Sequence, residues 1–431
     1  MTNQPWVVSL AAVFAVIFSV ALFTSVALIN IAVLGLILLA PFAWRDFLNK
    51  GQSISFDEKL FLSLVIVFCV WDLLTNLLAG FGPLASLKAL LHDIRTLGFV
   101  TILWAIFANP KIARIAFWGV CLSVLFLASI NLLMTLLGSV TQGRYFTTDF
   151  WGMSHLSHMY GQAIVGLIFV FIQMWLVRPH LSWRVVAPII LLLLSLFLAS
   201  ERRTGWLLFF LGFLVWVALN SKTIFSIKYK WWLLCVAGVL VAVATSSNVV
   251  HVRMALALNE IHQFLSMSQS ERSAALLGST SIRLQYAITA WESIKQMNYW
   301  VGVGSMGFPQ AYQTAAIDLG VSQKSWEAYN WSNPHNEYLY MLASKGVVGL
   351  ALYLGIFVQA CRVAWRKDDE VQRIGLVIFV FLFMASITAN SMIIDMEEGH
   401  FAMFIFLVFL APKSLNLSGV KAQNNQFVKI L

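Results

Sequence analysis

Residues 333–350 read NPHNEYLYMLASKGVVGL, a short polar run followed by an apolar one. Ser332 or Asn333 can cap a helix that has Pro334 in its first turn, and His335 would then lie on that opening turn. Because backbone N–H groups are unpaired in the first turn of a helix, this turn is suited to binding an anion. The apolar residues that follow cover about one bilayer thickness, which predicts a spanning helix with a polar turn at the membrane surface.

Apolar runs of this length recur along most of the chain. Of its 431 residues, 60% are hydrophobic and 11% are charged, which excludes a soluble domain. We therefore predict an all-α, polytopic membrane protein with about 12 transmembrane helices and a single transmembrane domain over residues 1–431. The formal charge of +9 does not indicate nucleic-acid binding, since the Lys and Arg residues lie mainly in short loops between spans. The four cysteines lie in or beside apolar segments without metal-ligand spacing, so we expect neither disulfides nor a zinc site.

The predicted spans are separated by short polar loops, with one long exception. Residues 246–333 are polar and mixed in composition, which predicts an extramembrane loop with helical stretches, and residues 80–95 predict a surface loop with a short amphipathic helix. Two spans are expected within residues 6–41, with a turn at Thr24 and Ser25. The others are expected at about 60–78, 96–108, 115–137, 159–177, 185–199, 206–219, 231–245, 338–361, 374–391 and 400–411.

The distribution of basic residues predicts the orientation. With both termini in the cytoplasm, seventeen Lys and Arg residues fall on the cytoplasmic side. The short loops of the opposite side then keep five, which are Lys88, Arg95, Arg144, Arg202 and Arg203. The long loop over residues 246–333 and the His335 turn are therefore expected to face the exterior.

Arginines on the exterior side are candidates for binding phosphate. Arg202 and Arg203 lie in a turn between two predicted spans, against the general trend of positive charge. A guanidinium group stays charged and offers two parallel N–H donors to phosphate oxygens. The alternative is that Glu201 pairs with one of them while both reach lipid headgroups. Arg283 follows a Ser-Thr-Ser-Ile run in the long loop, and by itself it is more typical of a solvated residue.

His335 is the candidate proton acceptor. A neutral imidazole near pH 7 can take a proton from a sugar hydroxyl, although a lone histidine beside a membrane is more often a structural residue. Glu337 could orient the imidazole or complement the N-terminus of the helix. Asn333, Asn336 and Glu337 are the candidate substrate-binding residues beside it.

Other polar residues carry weaker signals. Asp72 lies within a predicted span, where a carboxylate costs about 2.5 to 3.5 kcal/mol and suggests a function, or else it lies at the end of that span near Asn76. His155 and His158 could line an exterior cleft. Residues 395–400 form an acidic turn that could bind a cation but is more typical of a solvated loop. No Asp-x-Asp motif occurs in a predicted cytoplasmic loop, which disfavours a nucleotide-sugar donor and favours a lipid-linked one.

Three motifs occur in a characteristic order. They are Arg203-Thr204-Gly205 after a span, the Arg283 segment leading to Gly302-Val303-Gly304, and the run of residues 334–349 with its His-Asn-Glu start and later Gly-x-x-Gly. Over roughly residues 198–355 this order and spacing resemble the O-antigen ligase and O-antigen polymerase superfamily. Arg202 stands where many members carry a serine, and we favour Arg203 as the active arginine.

The resemblance implies a metal-independent, inverting glycosyl transfer without a cofactor on the periplasmic face of the bacterial inner membrane. The donor glycan would arrive on undecaprenyl diphosphate. In a ligase the acceptor is lipid A-core, whereas in a polymerase it is another lipid-linked repeat unit. His335 would act as the base, Arg203 and Arg283 would stabilise the diphosphate, and Arg202 would contribute to binding.

A ligase is our first choice among the members of this superfamily, on overall length, the long late loop and the basic balance. A polymerase is the alternative, and a protein O-oligosaccharyltransferase acting on pilin is a third version. A transporter or flippase is the hypothesis from a different class. It would require charged or broken helices near the midplane and inverted repeats, and apart from Asp72 the sequence offers little of either.

Overall fold

The computed structural model describes residues 5–137, 157–178, 182–199, 203–225, 248–295, 297–329, 331, 333–386 and 396–417, and its regular elements there are all helical. Two of these elements are π-helical turns, Ile94–Gly98 and Ser195–Ala199. The α-helices are α1 Pro5–Ala21, α2 Val26–Asn49, α3 Phe56–Leu78, α4 Pro83–Asp93, α5 Phe99–Phe107, α6 Pro110–Leu136, α7 Ser157–Val177, α8 Ser182–Leu194, α9 Arg203–Phe225, α10 Asn248–Ser266, α11 Gln269–Ala274, α12 Ser279–Lys295, α13 Phe308–Asp318, α14 Gln323–Ala328, α15 Glu337–Trp365, α16 Glu370–Ser386 and α17 Met396–Leu410.

Helices long and apolar enough to cross a bilayer are consistent with the predicted all-α, polytopic membrane protein. Within the described residues there are seven of them: Val26–Asn49, Phe56–Leu78, Pro83–Phe107, Pro110–Leu136, Met159–Val177, Gly205–Ile224 and Glu337–Trp365. Shorter apolar helices are Pro5–Ala21, Trp183–Phe197 and Glu398–Leu410. The count of twelve spans is not confirmed, and the span expected at 231–245 lies outside the described residues.

The first apolar run divides where the sequence predicts. α1 ends at Ala21 and α2 begins at Val26, and the Ser25 hydroxyl accepts the N–H of Leu28 at 3.3 Å as the helix cap. Such a cap satisfies one of the free N–H groups of the first turn. The turn at Thr24 and Ser25 is therefore confirmed.

Residues 80–95 were predicted to form a surface loop with a short amphipathic helix: the short helix is present as α4, but the surface loop is wrong. α4, the π-helical turn and α5 form one apolar helical stretch, Pro83–Phe107, with proline at its start. The polar residues that suggested a loop have partners inside the membrane domain: Asp93 is buried, and the Arg95 guanidinium donates to Asn30 Oδ1 at 2.7 Å. Lys88 and Arg95 consequently lie on a helix and not in an exterior loop.

α3 and α15 pack antiparallel at the centre of the membrane domain. Near the end of α3, Asp72 pairs with Lys345 of α15 at 3.2 Å, and near its start Glu58 pairs with Lys367 at 2.9 Å. The loop of residues 298–307, between α12 and α13, contacts α3 near its C-terminal end. This loop therefore lies on the membrane side where α3 ends.

α15 is broken near its N-terminal end. The sequence predicts one span at 338–361, but Gly346 has non-helical dihedral angles, φ 69° and ψ −173°. The part after the break, residues 347–365, is about 28 Å long and by itself matches the hydrocarbon core. The part before it, residues 337–345, extends toward α12 and α13. Backbone groups freed by the break bond to residues 299–304.

Helices α12 and α13, which lie in the segment predicted to be an extramembrane loop, have a core that continues into α15. Tyr286, Ala290 and Ile294 of α12 are buried, as is Phe308 of α13. The ring of Phe308 meets that of Tyr340 in α15 edge to face, with centroids 4.9 Å apart. Because burial of these aromatic rings is strongly favourable, α12 and α13 are held against the first segment of α15.

Candidate active site

The helix behind the His335 turn begins later than the sequence predicts. The cap is Asn336, whose Oδ1 accepts the N–H of Leu339 at 3.1 Å, and Glu337 is the first helical residue. The predicted cap at Ser332 or Asn333 is therefore wrong. The physical reason is the backbone at His335, whose φ of 48° is left-handed and cannot belong to a right-handed helix.

Asn333 instead fixes the turn that presents the histidine. Its Oδ1 accepts the backbone N–H of His335 at 2.8 Å, and the side chain is almost fully buried. A left-handed conformation costs about 1 to 3 kcal/mol in a residue other than glycine, so it persists where surrounding contacts determine it. The hydrogen bond that the backbone N–H of His335 donates to Asn333 is one such contact, and it helps to hold the His335 turn in this conformation.

The imidazole of His335 lies on an aromatic platform. It stacks on Tyr286 of α12, with ring centroids 5.2 Å apart and planes inclined by 29°. Tyr286 in turn meets Trp331 edge to face at 5.2 Å, and both of these rings are buried. One face of the imidazole is thereby covered, and the side chain is half-buried.

Arg283 lies one helical turn before Tyr286 on α12 and is exposed. The pKa of His335 is lowered from its usual 6.5, first by burial and second by the positive charge of Arg283. At neutral pH the imidazole is therefore mostly unprotonated and able to accept a proton. The structure thus brings Arg283 and His335 into one site with an exposed guanidinium group and a neutral imidazole.

Glu260 supports this site, although no role was predicted for it from the sequence. Its carboxylate accepts the N–H of Thr280 at 2.7 Å, and its backbone carbonyl accepts the hydroxyl of Ser281 at 2.9 Å. A carboxylate at a helix N-terminus satisfies free N–H groups and favours the helix dipole. Glu260 therefore stabilises the first turns of α12, which carry Arg283.

Tyr286 is the second residue whose role the sequence did not reveal. It lies three positions after Arg283, which places both within one turn of α12. In the sequence, this three-residue spacing from Arg283 is the signal that could have indicated a role for Tyr286. The stack on His335 joins residues far apart in the chain, so sequence periodicity alone could not indicate it.

The described residues do not include the side chains of the other two predicted arginines, Arg202 and Arg203. Arg202 lies outside the described residues, and Arg203 is the first residue of α9 with its side chain outside them. Their proximity to His335 stays a prediction. Glu337 has a completely buried side chain, so its carboxylate faces the protein interior. Substrate-binding roles for Asn333, Asn336 and Glu337 also stay predictions.

Among the weaker candidates, Glu398 and His400 are buried in α17, which contradicts a solvated acidic turn at these two residues. Asp395 and His155 lie outside the described residues, and of His158 only the backbone, in α7, is described. Among the described side chains, no three His, Cys, Asp or Glu residues are grouped so that they could hold a metal ion.

Comparison with known proteins agrees with the motifs of the sequence. Residues 188–354 match a family described as O-Antigen ligase, a range that includes α9 to α14 and the start of α15. No curated protein matches the chain. The matched range contains His335, Arg283 and Arg203 and corresponds to the region of the resemblance. The match over this segment supports the superfamily that the motifs indicate, that of the O-antigen ligases and O-antigen polymerases.

Proposed function

We propose that the protein is an O-antigen ligase, which transfers a glycan from undecaprenyl diphosphate to lipid A-core on the periplasmic face of the inner membrane. The observation that carries this proposal is the pairing of a neutral, stacked imidazole at His335 with the exposed guanidinium of Arg283. Both lie on extramembrane elements beside the broken helix α15. A lipid-linked diphosphate sugar offers an anion to Arg283, and the acceptor hydroxyl that attacks this sugar offers a proton to His335.

The proposed step is a single displacement. The acceptor hydroxyl oxygen attacks the anomeric carbon of the donor sugar, and the bond from that carbon to the diphosphate oxygen breaks with inversion. His335 takes the hydroxyl proton as the new bond forms. Undecaprenyl diphosphate leaves with the bonding electron pair, and it needs no protonation because a diphosphate is already a stable anion.

Arg283 would stabilise the charge that develops on the diphosphate, with Arg203 as its proposed partner. A preoriented cation at the leaving oxygen lowers the barrier because it interacts more strongly with the transition state than with the ground state. Arg202 is proposed to assist binding. No metal or cofactor is required in this scheme, since the arginines supply the positive charge.

A polymerase that joins lipid-linked repeat units is the alternative within the superfamily, because the matched family covers both reactions. A transporter is the alternative from another class. The broken helix at Gly346 and the buried charge at Asp72 are features that transporters also have. Here, however, both features have structural partners: Asp72 pairs with Lys345, and the backbone groups freed at Gly346 bond to residues 299–304.

A deletion strain distinguishes these activities. Loss of long lipopolysaccharide chains with accumulation of lipid-linked polymer indicates a ligase, whereas core carrying one repeat unit indicates a polymerase. Glycan trapped in the cytoplasm would favour transport and contradict both. Transfer by purified protein between a defined lipid-linked donor and lipid A-core is the direct test.

Variants test the roles of the residues. We expect His335→Ala to reduce transfer by about 10²- to 10⁴-fold, as for loss of a general base, and Arg283→Ala by about 10²- to 10³-fold. Matched controls are His262→Ala, an exposed histidine of α10, and Lys295→Ala, an exposed cation at the other end of α12. Wild-type transfer by His335→Ala would remove this residue from the mechanism.

A further inference from the structure

Three charged side chains meet inside the membrane domain. The Lys345 ammonium pairs with Asp72 Oδ1 at 3.2 Å and with the carboxylate of Asp93, and at most 2% of each side chain is exposed. The ammonium also lies 4.4 Å from the ring centroid of Phe68. These residues belong to α3, α4 and α15. Buried charges in apolar helices are costly unless they are paired, so this cluster constrains how the three helices pack.

The same cluster is bonded to the 298–307 loop. Ser305 donates its hydroxyl to Asp72 Oδ2 at 3.0 Å, and Asn76 donates to the Ser305 hydroxyl at 3.1 Å. The N–H of Met306 donates to Asn76 Oδ1 at 2.9 Å. Asp72 Oδ2, the carboxylate oxygen that does not pair with Lys345, and the side chain of Asn76 therefore hold the loop at the end of α3.

The 298–307 loop in turn is hydrogen-bonded to α15 on both sides of the break at Gly346. The N–H groups of Val303 and Gly304 donate to the carbonyls of Ala343 and Ser344 at 3.1 and 2.8 Å. The N–H of Val347, beyond the break, donates to Tyr299 at 2.8 Å. Main-chain hydrogen bonds thus cross between the loop and both sides of Gly346, where α15 provides no internal partner.

The two halves of the active site extend from this junction. α12 ends at Lys295, just before the loop, and carries Tyr286 about 13 Å upstream. The first segment of α15 runs about 12 Å from Lys345 back to Glu337, directly after His335. α12 and the first segment of α15 are therefore joined at two places. At one, Tyr286 stacks on His335; at the other, the 298–307 loop connects them and is bonded to the charged cluster through Ser305 and Asp72.

We propose that Asp72, Lys345 and Asp93 are positioning residues, which hold α12 and the first segment of α15 at the separation that brings Arg283 beside His335. None of the three contacts the reacting groups. They act through Ser305 and the break at Gly346. The inference deepens the proposed function, on which its activity measurement rests, while its structural measurement is independent of any reaction.

The test replaces Asp72 with Asn, which keeps a hydrogen-bond acceptor but removes the charge. The matched control is Asp57→Asn. Asp57 is an equally buried carboxylate on α3, it pairs with Arg366 beyond the end of α15, and it lies about 22 Å away along α3. Both variants remove the charge of one buried, paired carboxylate from α3, although the partner of Asp57, Arg366, is exposed. Of the two carboxylates, only Asp72 contacts the 298–307 loop.

The first measurement is an NMR titration of the full-length protein labelled with ¹³C-histidine, with the His335 signal assigned by its loss in His335→Gln. The imidazole faces Arg283 and Tyr286 of α12, and burial and the charge of Arg283 lower its pKa. If Asp72→Asn separates α12 from the His335 turn, both causes weaken. We expect the His335 pKa to rise toward 6.5 in this variant and to keep its wild-type value in Asp57→Asn.

The second measurement is transfer activity. We expect kcat to fall by about 10- to 100-fold in Asp72→Asn with a smaller change in KM, because a misplaced base slows the chemical step. Ser305→Ala is a milder variant with the same expected direction, and it serves if Asp72→Asn fails to fold. An unchanged His335 pKa in the folded variant would overturn the inference, even if activity fell. If the wild-type protein shows no transfer, the proposed function fails while the titration still tests the positioning role.

Discussion

Replacement of Gly346 by Ala tests whether the break in α15 is required by the fold. A Cβ atom at this position would lie 2.3 Å from the carbonyl carbon and oxygen of Trp300 and 2.5 Å from the nitrogen of Val301. These are backbone atoms, which cannot rotate away as a side chain does. The φ of 69° is also a conformation that alanine adopts at a cost.

The magnitude follows from two contributions. A left-handed conformation in a residue with a Cβ costs about 1 to 2 kcal/mol. Relief of the contact with Trp300 moves the 298–307 loop and weakens its three main-chain hydrogen bonds to α15, each worth about 1 kcal/mol. We therefore expect Gly346→Ala to lower the free energy of unfolding by about 4 to 5 kcal/mol.

Gly355→Ala is the matched control, since it changes a glycine in the regular part of the same helix. Its Cβ would find its nearest atoms, those of Leu64, at 3.8 and 3.9 Å, which is ordinary contact. The control should be neutral or stabilising by up to about 1 kcal/mol. Both free energies can be measured by SDS titration in detergent micelles, followed by tryptophan fluorescence. A Gly346→Ala protein within about 1 kcal/mol of wild type would refute the reasoning.

Three further results are expected. Tyr286→Phe keeps the ring under His335 and should retain most transfer activity, whereas Tyr286→Leu removes the stack and should lose about tenfold or more in kcat; equal activities in the transfer assay would contradict a role for the stack. Because the His335 pKa is lowered below 6.5 and the neutral imidazole is the active form, the pH–rate profile should be flat near pH 7 and fall only below pH 6.5; a fall that begins above pH 7 would be inconsistent with this base. Asn336→Ala should destabilise by about 1 kcal/mol through loss of the cap on Leu339, and Asn336→Ser should restore most of it, as judged by the same SDS titration; equal losses in both variants would argue against capping.

Much of the membrane domain could be predicted from the chain alone, because a spanning helix needs a run of apolar residues whose length is set by the bilayer. α3 and α7 begin and end close to the predicted ranges, and the turn at Thr24 and Ser25 is where polarity and helix capping place it. The superfamily could also be recognised, since the motifs of residues 203–205 and 334–349 keep their order in sequence.

Polar residues in helices were the main source of error. Residues 80–95 were expected to form a surface loop with a short helix, whereas partners on other helices allow the charged residues Asp93 and Arg95 to lie within one longer helical stretch. Hydropathy adds the cost of each residue separately and does not count a partner distant in the chain. For the same reason, Lys345 looked like a minor interruption of an apolar run, whereas it pairs with Asp72 and Asp93.

The sequence by itself therefore determined the class of the protein, the approximate spans and the residue types suited to glycosyl transfer. Only the tertiary structure decided that His335 stacks on Tyr286 beside Arg283, and that α15 is broken at Gly346. Local propensity and hydropathy act over a few turns of helix, so they specify spans and caps. The site depends on contacts between α12, α15 and the 298–307 loop, which form when the whole membrane domain packs.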